Sequence, residues 1–147
     1  MVTNQVYWHP FVPSPHFGRS GLEGNIKVEA GPDSEAVTVL LFQPEGVIAS
    51  WSAAEFVQLK HDLGEAATKF RALVAGPRPE GNWQSQFGRW LTMWHSKERV
   101  CCNLVNDSGV TVTQFREEAA IVGVLQSLPT IDAAIEDALA TFRRSRQ

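Results

Sequence analysis

Leu41-Phe42-Gln43-Pro44-Glu45-Gly46-Val47 runs on into Ser52-Ala53-Ala54-Glu55 and an apolar helical pattern. Further along, Leu104-Val105-Asn106-Asp107-Ser108-Gly109-Val110 runs on into Arg116-Glu117-Glu118-Ala119 and a second such pattern. Leu41, Gly46, Val47 and Glu55 fall on Leu104, Gly109, Val110 and Glu118 at one constant offset, without a gap. Each stretch reads as strand, turn, strand and helix, and two copies of such a unit can pack as one pseudo-symmetric body. The fold expected for the chain rests on this pair of stretches.

Around the first copy, Asn25 to Glu29 alternates polar and apolar residues, as a half-buried strand does. Ala30 to Ser34 has turn composition. Ala36 to Phe42 is apolar nearly throughout and predicts a central strand, with Val47 to Trp51 as the next. Ser52 and Glu55 are spaced as a capping box, in which each side chain satisfies the other's backbone donor. Phe56, Leu59, Leu63, Ala66, Phe70 and Leu73 then form one stripe. Gly76-Pro77 ends the helix, with Gly76 suited to a left-handed cap. This gives a first repeat over 25–76 and a linker over 77–83.

The second repeat is placed at 84–128. Gln86 to His95 predicts one strand, Arg99 to Val105 the next, Asn106 to Gly109 a hairpin turn, and Val110 to Phe115 its partner. Ala119 to Leu128 predicts a second helix. Pro129-Thr130 is read as the start of a third, so that 129–147 is an extra C-terminal helix with a basic tail, Arg143, Arg144 and Arg146. Residues 1–24 are rich in Pro, Gly and aromatics. There Val6 to Val12 is either an edge strand or an irregular arm because of Pro10, Pro13 and Pro15, and Gly18, Gly21 and Gly24 loosen the chain beyond it. Hairpin-linked strands pair antiparallel, and the helices must cover a sheet face, which makes an α+β fold in a single domain.

At 147 residues, 44% of them hydrophobic and 20% charged, the chain has an ordinary globular composition. A net charge of −3 argues against a strongly basic DNA-coating protein. The charge is uneven, because residues 1–76 carry five Lys/Arg against eight Asp/Glu while 77–147 carry eight of each. Cys101 and Cys102 are adjacent, so in a strand they face opposite ways and are poorly placed to pair with one another. Two thiols without a disulfide framework fit a reducing compartment, and the expected location is cytoplasmic. No signal-peptide pattern follows Met1, and no apolar run of the length needed to cross a bilayer is evident.

His9, His16, His61 and His95 are scattered without metal-ligand spacing. Neither a nucleophile signature nor a phosphate-binding glycine loop occurs. No catalytic residue, metal or cofactor is therefore expected, and the chain reads as a non-enzymatic binding protein. What remains is an interleaving of Trp83, Phe87 and Trp94 with Arg89, Lys97 and Arg99, the combination of stacking surfaces and phosphate contacts that single-stranded nucleic acid requires. The same spacing also suits Trp90 and Trp94 filling the core together, with Arg89, Met93 and His95 facing outward.

The twice-written order of strands, hairpin and helix resembles PUR-repeat proteins and, more loosely, Whirly-type single-strand binders. The likeness is carried by Val37 to Leu41, Gly46 to Ser50 and the helix from Ser52, and again by Arg89 to Leu91, Cys101 to Val105, Gly109 to Val112 and the helix from Glu118. It implies single-stranded DNA or RNA binding on a sheet face, and homodimerisation. The chain departs from that family in its acidic charge, in lacking a strongly basic strand face and in its extra C-terminal helix. The alternative expectation is a protein–protein adaptor or inhibitor, a phage or bacterial accessory factor, that docks through Tyr7, Trp8, Phe11 and Phe17 of the N-terminal arm.

Overall fold

A computed structural model of the chain describes residues 5–17, 22–31 and 34–146. Gly18, Gly21, Pro32 and Asp33, which the sequence assigns to loops, lie outside them. The first half holds four strands, β1 (Gln5–Phe11), β2 (Glu23–Ala30), β3 (Glu35–Gln43) and β4 (Gly46–Ser52), and then helix α1 (Ala53–Ala75). The second half repeats that order with β5 (Trp83–Phe87), β6 (Leu91–His95), β7 (Val100–Val105), β8 (Thr111–Phe115) and helix α2 (Glu118–Ser145). Each half forms its own four-stranded antiparallel sheet, with strands in chain order. The α+β class expected from the sequence is the class of the structure.

The echo has a structural counterpart. The β3–β4 ladder is interrupted between Leu41 and Phe42, and the β7–β8 ladder between Leu104 and Val105, the aligned place. Gly46 and Gly109 both have positive φ, +131° and +82°, which side chains adopt only with strain. The copies diverge at the helix start. Ser52 and Glu55 form the reciprocal cap on α1, at 3.1 and 2.9 Å. Glu117 caps α2 with no side-chain bond, and Glu118 instead takes Arg71 of α1 at 2.7 Å.

Several expected boundaries are corrected. Residues 5–11 of the arm are strand β1, at the edge of the first sheet where Pro10 is tolerated, so the first unit begins well before residue 25. Phe11 lies opposite Gly24, and a Cβ on Gly24 would stand 2.3 Å from its ring. The expected strand over 86–95 is a hairpin, because Gly88 turns the chain at φ +64° and Phe87 pairs with Leu91. Trp83, assigned to the linker, opens β5. The separate helix expected from Pro129 is absent, since α2 runs through Pro129 unbroken. A proline there removes one backbone bond and costs about 3 kcal/mol. Ile121, Val124 and Leu128 before it and Ile131, Ala138 and Phe142 after it share one buried stripe. At about 1.5–3 kcal/mol for each large apolar side chain, that burial outweighs the lost bond. Gly76 ends α1 in an extended conformation, φ −96°, rather than a left-handed one.

One continuous core joins the halves. α1 packs against strands of both sheets, whereas α2, which follows the second sheet, packs mainly on β1 and β2 of the first. Phe17, in a 3-10 turn (Pro15–Phe17), stands edge-on to Trp51 at 6.1 Å inside that core. Polar ties also cross between halves: Lys60 to Asp132 at 2.9 Å, Arg143 to Glu35 at 2.7 Å, and the Asn106 side chain to the Ile48 carbonyl. Arg143 and Arg146 of the basic tail are thus held against Glu35. An 18-residue window of α2 has a mean hydropathy of 1.3, so this helix is long and apolar enough to cross a bilayer, a correction to the expectation that no such run exists. In the fold its apolar stripe faces the sheets, and Asp132 and Asp137 meet Lys60 and His9. The helices occupy the inner faces, and among the described residues no helix covers the outer face of either sheet.

Candidate functional site

Strand alternation decides what the second sheet shows outward. Leu91 and Met93 of β6 and Cys102 and Leu104 of β7 point into the core and are fully buried. Thr92, Trp94, Cys101 and Asn103 therefore take the opposite face. The register sets Trp94 beside Cys101 and Gln84, Thr92 beside Asn103 and Gln86, and Asn103 beside Gln114. None of these outward residues is acidic. Trp94 is on the open face because Leu91 and Met93 already fill the core side of β6, so the core-filling alternative for Trp94 does not hold. Trp90 is buried, but in the β5–β6 turn, where its Nε1 donates to Asp107 at 3.1 Å.

A hollow of about 450 Å³ opens on this face, walled by Trp94, Arg99, Asn103, Gln114 and Arg116 with Cys101 at its floor. A shallower one of about 660 Å³ adjoins it, sharing Trp94 and Arg99 and reaching Lys97 and Glu80. The Arg99 guanidinium lies 5.3 Å from the centre of the Trp94 ring, a cation–π contact that leaves its charge at the lip of both hollows. Arg116 Nε donates to Gln114 Oε1 at 2.9 Å. Lys97 meets Glu80 at 3.3 Å, with side chains 67% and 85% exposed. A pair so exposed contributes little, so Lys97 can exchange its partner for another anion. Arg78 sets the position of this loop: it donates to the carbonyls of Ser96 (2.7 Å), Lys97 (3.0 Å) and Leu73 at the end of α1 (2.7 Å). Burial pushes the Cys101 thiol up, against the pull of Arg116 and Arg99, and pushes Cys102 up to about 12.

Of the six residues expected to bind nucleic acid, the fold brings three together: Trp94, Lys97 and Arg99. Trp83 and Phe87 stand on the other side of β5. Phe87 packs against the core, and Trp83, 51% exposed, donates to the Glu80 carbonyl at 2.9 Å. Arg89 is at the far end of the sheet, bound to Glu55 at 2.6 Å and to Asp107 through two bonds at 2.9 and 3.0 Å. It joins the start of α1 to two turns of the second sheet. Of the arm residues, Phe17 is fully buried, Tyr7 and Phe11 pack against the core, and Trp8 is 49% exposed with Lys27 5.7 Å above its ring. Cys101, Asn103, Gln114 and Arg116 were missed. Their signal was the alternation along β7, which becomes a shared face only once the β7–β8 register is known. Among the described residues no cluster of three or more His, Cys, Asp or Glu side chains could hold a metal ion.

No protein-family model matches the chain, nor does any curated protein or any solved structure.

Proposed function

We propose that the chain is a non-enzymatic binder of single-stranded nucleic acid, DNA or RNA, acting through the outer face of its second sheet in the manner of the PUR-repeat and Whirly-type proteins it resembles. The observation that carries this is the outer face of the second sheet, where one half-buried tryptophan is flanked by Arg99, Arg116 and Lys97; among the described residues no acid lines the hollow beside Trp94, and Glu80 and Glu98 line the adjoining one. Bases stack on such a ring and phosphates exchange counterions for such cations. The net charge of −3 is no obstacle, because Arg99, Arg116 and Lys97 form a local basic patch within the mildly acidic whole. The test is a fluorescence titration with a mixed-sequence single-stranded oligonucleotide at low and moderate salt. Tryptophan quenching that weakens as salt rises supports the role, and a flat response at low salt sinks it. A second role, as a protein adaptor or a homodimer, is favoured by the first sheet, whose outer side exposes Val6, Trp8 and Val47. It is tested by sedimentation of the wild type against Trp8→Lys, and an unchanged mass in a self-associating protein would count against that face.

A further inference from the structure

The wall of the hollow beside Trp94 is made of donors. Asn103 and Gln114 are directly opposed across β7 and β8, with both side chains outward. The Gln114 carbonyl oxygen already accepts from Arg116 at 2.9 Å, and the Asn103 carbonyl oxygen takes the Cys101 thiol at 3.9 Å. Those contacts engage both amide oxygens. The two NH₂ groups make no hydrogen bond among the described residues, and both arginines beside them are donors only. Among the described residues no carboxylate lines this hollow. A base stacked on Trp94 and filling it would meet N–H groups on every polar side.

We propose that this hollow is a nucleobase subsite that prefers bases carrying a carbonyl oxygen to adenine. This rests on the proposed nucleic-acid role. Guanine, thymine, uracil and cytosine each offer at least one carbonyl oxygen to the wall, and guanine offers O6 and N7 side by side, the arrangement that two parallel donors fit best. Adenine has no carbonyl. Its unsubstituted ring nitrogens each accept a donor, but the N6 amino group beside N1 and N7 is itself a donor, so two N–H groups face each other wherever that edge meets the wall. The arrangement selects by what it disfavours as much as by what it holds.

The test uses pentanucleotides whose flanking positions are abasic, so that a single central base can enter the hollow. Adenine and hypoxanthine differ along one edge, a C6 amino group and an accepting N1 against a C6 carbonyl and N1–H, with nearly the same stacking surface. Tryptophan quenching at constant low salt is expected to give about tenfold tighter binding for the hypoxanthine probe. In Asn103→Ala/Gln114→Ala, with circular dichroism confirming the fold, the ratio of the two affinities is expected to fall towards one. A wild-type ratio under threefold, or a larger ratio that survives in the double variant, would overturn the proposal. If neither base binds more tightly than the wholly abasic probe, no base is held there, and the failure lies with the nucleic-acid role itself.

Discussion

Three arginines of the second half look alike in sequence and differ in what holds them. Arg99 and Arg116 sit at the lip of the hollow, while Arg89 is committed to Glu55 and Asp107. Replacing Arg99 or Arg116 by Ala is expected to lower the slope of log affinity against log salt by about 0.7 per residue, the single-strand value for one lost phosphate contact. Arg89→Ala is expected to leave that slope unchanged and to cost about 1 kcal/mol of stability in urea, as exposed ion-pair networks do. Trp94→Ala should weaken oligonucleotide binding by the roughly 1–3 kcal/mol of one lost base stack, without changing the salt slope. The two cysteines differ in the same local way. Only the thiolate reacts, and Cys102, at about 12, is almost wholly protonated at pH 8. Cys101 opens on the hollow, so a thiol reagent should label it first, by mass spectrometry, and bound oligonucleotide should slow that labelling.

The legibility of the elements depends on how local their causes are. The α1 start was readable because its cap closes within four residues, Ser52 to Glu55, and the paired turns were readable because Gly46 and Gly109 carry their own conformational reason. What depended on distant packing was not readable. Pro129 looked like a boundary, yet the stripe it interrupts is buried along the whole of α2. The arm's two readings, edge strand or irregular segment, stayed open because the Phe11–Gly24 fit that seats it as an edge strand requires knowing the β1–β2 register. Half of the candidate site was hidden for the same reason, since Asn103 and Gln114 become neighbours only through a pairing with a bulge in it. Both elements give a direct check. Pro129→Ala restores the missing backbone donor and is expected to raise the urea midpoint, by up to about 3 kcal/mol of stability. Gly24→Ala drives a methyl into the Phe11 ring and is expected to cost about 1–3 kcal/mol, with β1 amide protection lost first in hydrogen exchange.

At the scale of the whole molecule, both helices make two repeats one structure, α1 by packing on strands of both sheets and α2 by crossing onto the first. The last turn of α2 is fixed electrostatically. The Arg143 hydrogen bond, with Arg146 nearby, holds the Glu35 carboxyl below its ordinary value of 4.5. A carboxyl lowered in the folded state adds stability that is present above the unfolded value and lost as pH falls through the folded one. Glu35→Gln should therefore narrow the stability difference between pH 6 and pH 3 in urea titrations, and an unchanged difference would show that the pair contributes nothing. The rest of α2 acts through apolar contact, because it belongs to the second repeat by connection and to the first sheet by packing. If the chain is divided within 78–82, the first fragment keeps its sheet but loses the cover of β1 and β2, and the second keeps α2 with most of its stripe facing water. Neither fragment then buries the surface that offsets its conformational entropy. Each alone is expected to lack dispersed amide resonances in NMR spectra. Mixing them should restore the dispersed spectrum at one-to-one stoichiometry, because Ile121, Val124 and Leu128 regain the core they share with Phe17, Ile26 and Val28. Independent folding of the first fragment would instead mean that α1 alone completes that sheet, and that the crossing of α2 onto β1 and β2 is an addition to the repeat rather than the contact that closes it.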